Sequence, residues 1–152
     1  MARQPIQAHI FLYRFLGDHY EYAIFQLSDM PVCWQGICGG LENQETLEEG
    51  ARREIFEEAG IREPLPLYRL ENISYLPDNI FSKKARDHWG QQVVVVPMYF
   101  FAMPYDGNIT LSSEHTAVLW LPFQQAHEKI YFKDQQIALY ELNERLLRKL
   151  LF

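Results

Sequence analysis

The sequence predicts an α/β fold in which a mixed sheet lies between helices, an α/β/α sandwich. Three observations predict it. Strand-like segments flank one strongly capped helix on both sides, the chain closes on a long amphipathic helix, and 152 residues at 48% hydrophobic content suit one layered domain spanning 1–152. Charged residues, at 22%, are ordinary for a globular protein, which excludes wholesale disorder.

The elements follow in order. Residues 7–15 and 20–28 alternate as strands and meet at Gly17-Asp18, the signature of a hairpin. Trp34 to Cys38 reads as a short strand running into Gly39-Gly40. Thr46-Leu47-Glu48-Glu49 is a capping box and Gly60 a C-terminal stop, which places a helix over 47–59. Pro64 to Tyr75 alternates as a strand, and residues 76–91 read as a polar loop carrying Lys83, Lys84 and Arg86. Residues 92–103 are almost wholly apolar and suit a buried central strand. Ala117 to Leu121 makes a further strand and Phe123 to Lys129 a short helix. Asp134 to Leu150 is amphipathic, with Ile137, Tyr140, Leu146, Leu147 and Leu150 expected inward. The apolar ending Leu150-Leu151-Phe152 either docks on the body or forms a homodimer contact.

Composition narrows the function. Twenty Asp and Glu against fourteen Lys and Arg leave a net charge of −6, which argues against stable nucleic-acid binding. Ten Phe, nine Tyr and three Trp exceed the needs of one small core, so some are expected to line a pocket for a flat ligand. Cys33 and Cys38 match neither a zinc knuckle nor a disulfide framework and read as reduced thiols. The opening Met-Ala-Arg-Gln-Pro lacks the apolar run of a secretory signal. No stretch approaches the ~20 apolar residues of a membrane helix, so the expectation is a cytoplasmic protein without a membrane partner.

The acid is concentrated. Residues 42–63 hold eight Glu against three Arg. On the 47–59 helix, Glu54, Glu57 and Glu58 stand at i, i+3 and i+4, within about 100° of one another. Ala51, Ile55 and Ala59 occupy the adjoining arc as the packing stripe, so the carboxylates flank the buried seam. Three carboxylates that close repel one another unless a positive group lies between them, and a hard divalent cation is the obvious one. Gly50, costly in mid-helix, lies one turn before Glu54. It leaves room either for an ion or phosphate or for a close helix–strand contact.

The wider spacing identifies the pattern. Gly39, five residues, Glu45, seven residues, then Arg53-Glu54-Ile55-Phe56-Glu57-Glu58-Ala59-Gly60-Ile61 resembles the 23-residue Nudix box at every defined position. Its seven fixed identities would coincide by chance about once in a million sequences of this length. The resemblance to Nudix hydrolases implies a Nudix-type sandwich and a fixed set of roles. Glu54, Glu57 and Glu58 would hold Mg²⁺ or Mn²⁺, with the backbone carbonyl of Cys38 as a further ligand. Arg53 would pair with Glu45 and Glu54, leaving Glu45 to orient rather than ligate. Glu114, in Ser113-Glu114-His115, is either an added ligand or base, or a plain loop acid; His115 reads as structural. Water activation would fall to Glu54 or else Glu114.

Substrate is carried by the flanks. Trp34-Gln35 before the box, and Ser113 to Leu121 after it, resemble the dATP pyrophosphohydrolase, or dihydroneopterin triphosphate pyrophosphatase, branch. That implies conversion of a nucleoside or pterin triphosphate to monophosphate and pyrophosphate. Gly39, Gly40, Trp34, Lys83, Lys84 and Arg86 are the candidate substrate contacts, with Phe81, His88 and Trp89 as further stacking candidates. The alternatives are a pyrophosphatase for ADP-ribose or dinucleoside polyphosphates and a non-catalytic Nudix-fold binding module.

Overall fold

The computed structural model describes residues 3–151. Strands β1 (Arg3–Leu16) and β2 (His19–Leu27) form the expected hairpin, turning at Gly17 with a positive φ of 70° that glycine accepts without strain. Short β3 (Trp34–Gln35) and β4 (Ile37–Glu42) follow, split at Gly36. Helix α1 (Leu47–Ala59) begins at Thr46, whose hydroxyl accepts from Glu49 N–H while Glu49 reaches back, and ends at left-handed Gly60. Strand β5 (Tyr68–Pro77) leads into a short 3₁₀ turn and helix α2 (Lys83–Trp89). The remainder is β6 (Val95–Pro104), β7 (His115–Pro122), α3 (Phe123–Lys129) and α4 (Lys133–Leu147).

All seven strands join one mixed sheet in the order β3-β2-β1-β6-β5, with β4 pairing the first half of β1 and β7 pairing β2. Only β1 and β6 run parallel. Alternation along β1 sends Ala8, Ile10 and Leu12 to one face, where they pack with Ala51, Ile55 and Ala59 of α1. Phe11 goes to the other face with Phe100 of β6 and Ala138, Leu139 and Leu142 of α4. Helices therefore cover both faces, as the α/β/α reading requires.

Several local expectations are corrected. The segment 76–91 is not a loop throughout: Ser82 caps α2 by accepting from Ala85 N–H, and Gly90 closes it. α2 buries no residue, so it carries no apolar period to betray it. β5 starts at Tyr68, four residues later than expected, because Pro64 and Pro66 cannot supply ladder donors. β6 is central, but Val94 and Val95 at its start are exposed. On α4 the inward face is Gln135, Ala138, Leu139, Leu142 and Leu146, while Ile137, Tyr140 and Leu147 face solvent. Small Ala138 lets the helix approach the sheet, and the angular arc, not residue size, sets the buried stripe. Leu150 lies past the helix end and is exposed; Leu151 packs on the body, and Phe152 lies outside the described residues. Gly50 serves the close contact: a Cβ there would meet Leu41 Cγ at 2.7 Å, so no ion space is left. Both cysteines are free. Among the described residues no helix is long and apolar enough to cross a membrane.

His9, fully buried on β1, generates a pH prediction. Burial, only partly offset by the nearby Gln135 side chain, lowers its pKa from 6.5 to about 3. The folded protein thus excludes a proton that the unfolded chain binds below 6.5, so this contribution to stability is complete above that pH and lost as pH falls toward 3. The slope is about 1.4 kcal/mol per pH unit within the window. Urea unfolding at about pH 7 and about pH 5 should show this loss in the wild type and a flatter dependence in His9→Gln. Equal slopes would show that His9 does not carry it.

Candidate metal and catalytic site

The site begins with α1, whose apolar stripe presses it against β4 and leaves its acidic arc along the seam. Glu54 and Glu58 are buried, whereas Glu57 is exposed. β4 approaches so closely that a Cβ on Gly39 would lie 2.1 Å from the Glu54 carboxyl carbon. Glycine is required there because any side chain would displace that carboxylate.

Arg53 organises the acids. Its Nε donates to Glu45 Oε2 at 2.6 Å and its Nη2 to Glu45 Oε1 at 2.9 Å, a two-pronged pair. Nη2 also donates to the Gly40 carbonyl at 2.9 Å, and Nη1 to Glu54 at 3.0 Å and Glu57 at 3.1 Å. Every N–H of the guanidinium is engaged. Glu45 is held in turn by the Glu42 N–H at 2.7 Å, and the hydrogen bond from Arg53 keeps its carboxyl below the usual range. This is the orienting place expected for Glu45.

The other end of the arc meets the segment before β7. Ser112 Oγ donates to Glu58 Oε2 at 2.9 Å. The His115 ring brings Nδ1 to 2.9 Å from the same oxygen, off hydrogen-bond alignment, with both side chains buried. Burial alone would raise the Glu58 pKa, but the close approach of His115, with Glu114 and Ser112, outweighs it and holds it low. Glu114, on the exposed segment beside it, is pushed up, chiefly by its hydrogen bond to Glu58 and then by desolvation. The two carboxyls titrate as a pair, with Glu58 favouring the charged form and Glu114 the neutral one. Glu54 rises to about 7: its burial prevails over Arg53, and Glu57 and Glu58 add to the rise.

The structure thus brings together Glu54, Glu57, Glu58, Arg53, Glu45, Gly39, Gly40 and Glu114. Cys38 lies in the same strand, its thiol 3.7 Å from the Met98 sulfur, and burial pushes that thiol up to about 12. The remaining candidates lie outside this cluster, most of them engaged in protein contacts. Lys83 pairs with Asp87 at 2.7 Å on the exposed surface, and Arg86 Nε donates to the Phe81 carbonyl. Trp34 lies under Lys129 Nζ at 4.6 Å from its ring centre. Phe81 and Trp89 stack edge to face, and Trp89 Nε1 donates to the Arg3 carbonyl at 2.7 Å. Lys84 and His88 are exposed on α2. Ser112 escaped the sequence reading, although its place next to Ser113-Glu114-His115 was the available signal.

Donor chemistry fits a hard dication. Glu54, Glu57, Glu58 and Glu114 offer only oxygen, and burial and neighbouring carboxyls raise the pKa of Glu54 and Glu114. Among the described residues no three His, Cys, Asp or Glu side chains converge into a ready cage. Arg53 holds Glu54 and Glu57, while Ser112 and His115 hold Glu58. A cleft of about 360 Å³ opens beside Glu114, lined by Gln35, Cys38, Ser113, Glu114 and His115. A larger groove of about 610 Å³ lies elsewhere, around Tyr13, Tyr20 and Tyr105, and contains none of the candidate residues.

Comparison with known proteins agrees with this geometry. The NUDIX domain family matches residues 9–142. The chain is 30% identical over 95 residues to the nucleoside triphosphatase NudI of Enterobacter sp. (strain 638), an alignment covering 60% of this chain and 62% of that relative. It therefore spans less than two thirds of that relative's length. A NUDIX hydrolase structure from Listeria monocytogenes superposes with a TM-score of 0.85 at 29% identity, covering 97% of this chain and 98% of the other. The E. coli dihydroneopterin triphosphate pyrophosphohydrolase shares the fold at a TM-score of 0.76 and 21% identity, over 95% of this chain and 99% of that one.

The Arg53–Glu45 pair should register in stability. Glu45→Gln keeps the shape but removes the charge that Arg53 faces, and should cost about 1–3 kcal/mol in urea unfolding. An unchanged midpoint would show the pair to be idle.

Proposed function

The chain belongs to the NUDIX family, and from that premise we propose that it hydrolyses a phosphoanhydride of a nucleoside or pterin triphosphate, giving the monophosphate and pyrophosphate. The observation that carries the reading is the meeting of Glu58, at the end of the α1 acidic arc, with the Ser112–His115 segment that carries Glu114. Family membership alone would not require that meeting.

Glu54, Glu57 and Glu58, with the Cys38 carbonyl, are proposed to hold Mg²⁺ or Mn²⁺, and Glu114 to add an oxygen from across the cleft. A dication bound there would neutralise phosphate oxygens and lower the pKa of an attacking water. The chain's own residues do the rest. Arg53 keeps Glu54 and Glu57 from wandering, and Glu45 fixes Arg53. Gly39 and Gly40 leave backbone open to the diphosphate. Glu54, its carboxyl near neutrality in pKa, and Glu114 are the two groups placed to take the water's proton. The exposed polar surface of α2 offers Lys84 and the neighbouring Lys83 and Arg86 as outer phosphate contacts.

The NudI and dihydroneopterin triphosphate relatives support a triphosphate substrate. The test is a panel of dATP, dihydroneopterin triphosphate, ADP-ribose and diadenosine polyphosphates with Mg²⁺, with products identified. Pyrophosphate release from a triphosphate is expected, and Glu57→Gln should lose at least about tenfold in kcat with its melting temperature preserved. Cleavage confined to ADP-ribose, or full activity in Glu57→Gln, would overturn the reading.

A further inference from the structure

A chain of buried polar groups runs behind the cleft on the sheet face covered by α4. It starts at Gly36, whose N–H donates to His9 Nε2 at 3.2 Å. Gly36 is pressed against the ring: a Cβ there would come within 2.5 Å of His9 Cε1. The neutral ring accepts at Nε2, so its proton sits on Nδ1. His9 Nδ1 and Gln135 Oε1 are both buried without a hydrogen-bond partner. One is a donor and the other an acceptor, and Gln135 is the side chain whose proximity to His9 opposes the effect of burial. Each is the group the other lacks. With Gln135 Oε1 turned to His9, its Nε2 donates to Gln35 Oε1 at 3.1 Å.

The consequence falls on Gln35. Its oxygen is occupied, so the end of the amide left for a ligand is the Nε2 donor, and Gln35 lines the cleft beside Glu114 and Cys38. An amide is normally ambivalent, able to donate or accept according to the way it is turned. Here the donation from Gln135 Nε2 to the Gln35 oxygen removes the choice, and the Gln135 oxygen left toward His9 Nδ1 sets which way Gln135 is turned. A second donor lies nearby on the same face: Gln7 Nε2 is buried without a partner, next to Gly40, where a Cβ would meet it at 2.9 Å. Asp29, the cleft's other acid, sits at its exposed rim.

We infer that Gln35, its polarity set by Gln135 and His9, donates to a ring-carbonyl oxygen of the substrate's heterocycle and so favours oxo-substituted over amino-substituted bases. The inference rests on the nucleotide reading of the cleft and narrows it to a class of base. Gln35 is the specificity-determining contact; Gln135 and His9 are positioning residues that act through it.

The test separates this inference from the hydrolytic reading by measuring binding alone. The full chain is titrated calorimetrically with the α,β-methylene triphosphates of inosine and adenosine, which differ at the 6-oxo and 6-amino groups and resist cleavage. The wild type should bind the inosine analogue about tenfold more tightly. Gln35→Leu should level the two, Gln35→Glu, which can only accept at neutral pH, should reverse them, and Gln135→Leu should erode the preference with the melting temperature followed in parallel. A merely structural role for Gln135 would lower both affinities together and leave their ratio intact, which overturns the positioning claim. No oxo preference in the wild type, or the same preference in Gln35→Leu, overturns the assignment of Gln35. Failure of the hydrolytic reading would show separately, as triphosphates that bind with this preference but release no pyrophosphate.

Discussion

The guanidinium of Arg53 is the constraint on which the site depends. A helix face with three glutamates within one turn is self-repelling, and burying two of them beside a strand raises the cost. Arg53 meets that cost from within the same helix, with all five donors directed to Glu45, Glu54, Glu57 and the Gly40 carbonyl. It ties α1 to β4 at the point where Gly39 lets the backbone touch Glu54. Helix, strand and carboxylates are therefore positioned by a single group, and Glu45 exists in this arrangement to hold that group still.

The far side of the acidic arc follows different physics. Glu58 is held by Ser112 and faced by His115, and its pKa stays low while that of neighbouring Glu114 rises. Glu54 keeps an elevated pKa through burial. The carboxylates thus differ in environment although they share one helix, which is how neighbouring acids acquire distinct roles. The sheet separates this acid system on its α1 side from the amide and imidazole groups on its α4 side. The cleft is where residues of both systems, Glu114 and Gln35, reach a common space.

What the sequence made legible was whatever rests on local chemistry. Thr46, Glu49 and Gly60 bounded α1 to the residue, because capping is decided within one turn. The Arg53 pairings were legible because Glu45, Arg53 and Glu54 stand in a fixed spacing on one helix and its approach. What depended on distant partners was not. Gly50 could be read as space or as contact until Leu41 was seen against it. Ile137 and Tyr140 looked like core by their size, but the sheet accepted the arc through Ala138 and Leu142. α2 has no buried face, so hydrophobic periodicity had nothing to report and the segment read as a loop. The His9–Gln135–Gln35 chain joins residues up to 126 positions apart, beyond the reach of any local pattern.

The central claim is that the arc of Glu54, Glu57 and Glu58 with Glu114 is a dication site held in register by Arg53. Electron paramagnetic resonance of free Mn²⁺ measures this without reference to substrate or turnover. Adding the wild-type protein should deplete the free-ion signal, and Arg53→Lys, which keeps the charge but not the five-donor fork, should weaken that depletion while Lys83→Ala leaves it intact. Undiminished free Mn²⁺ in the presence of the wild type, or depletion that Arg53→Lys and Glu58→Gln fail to change, would contradict the account.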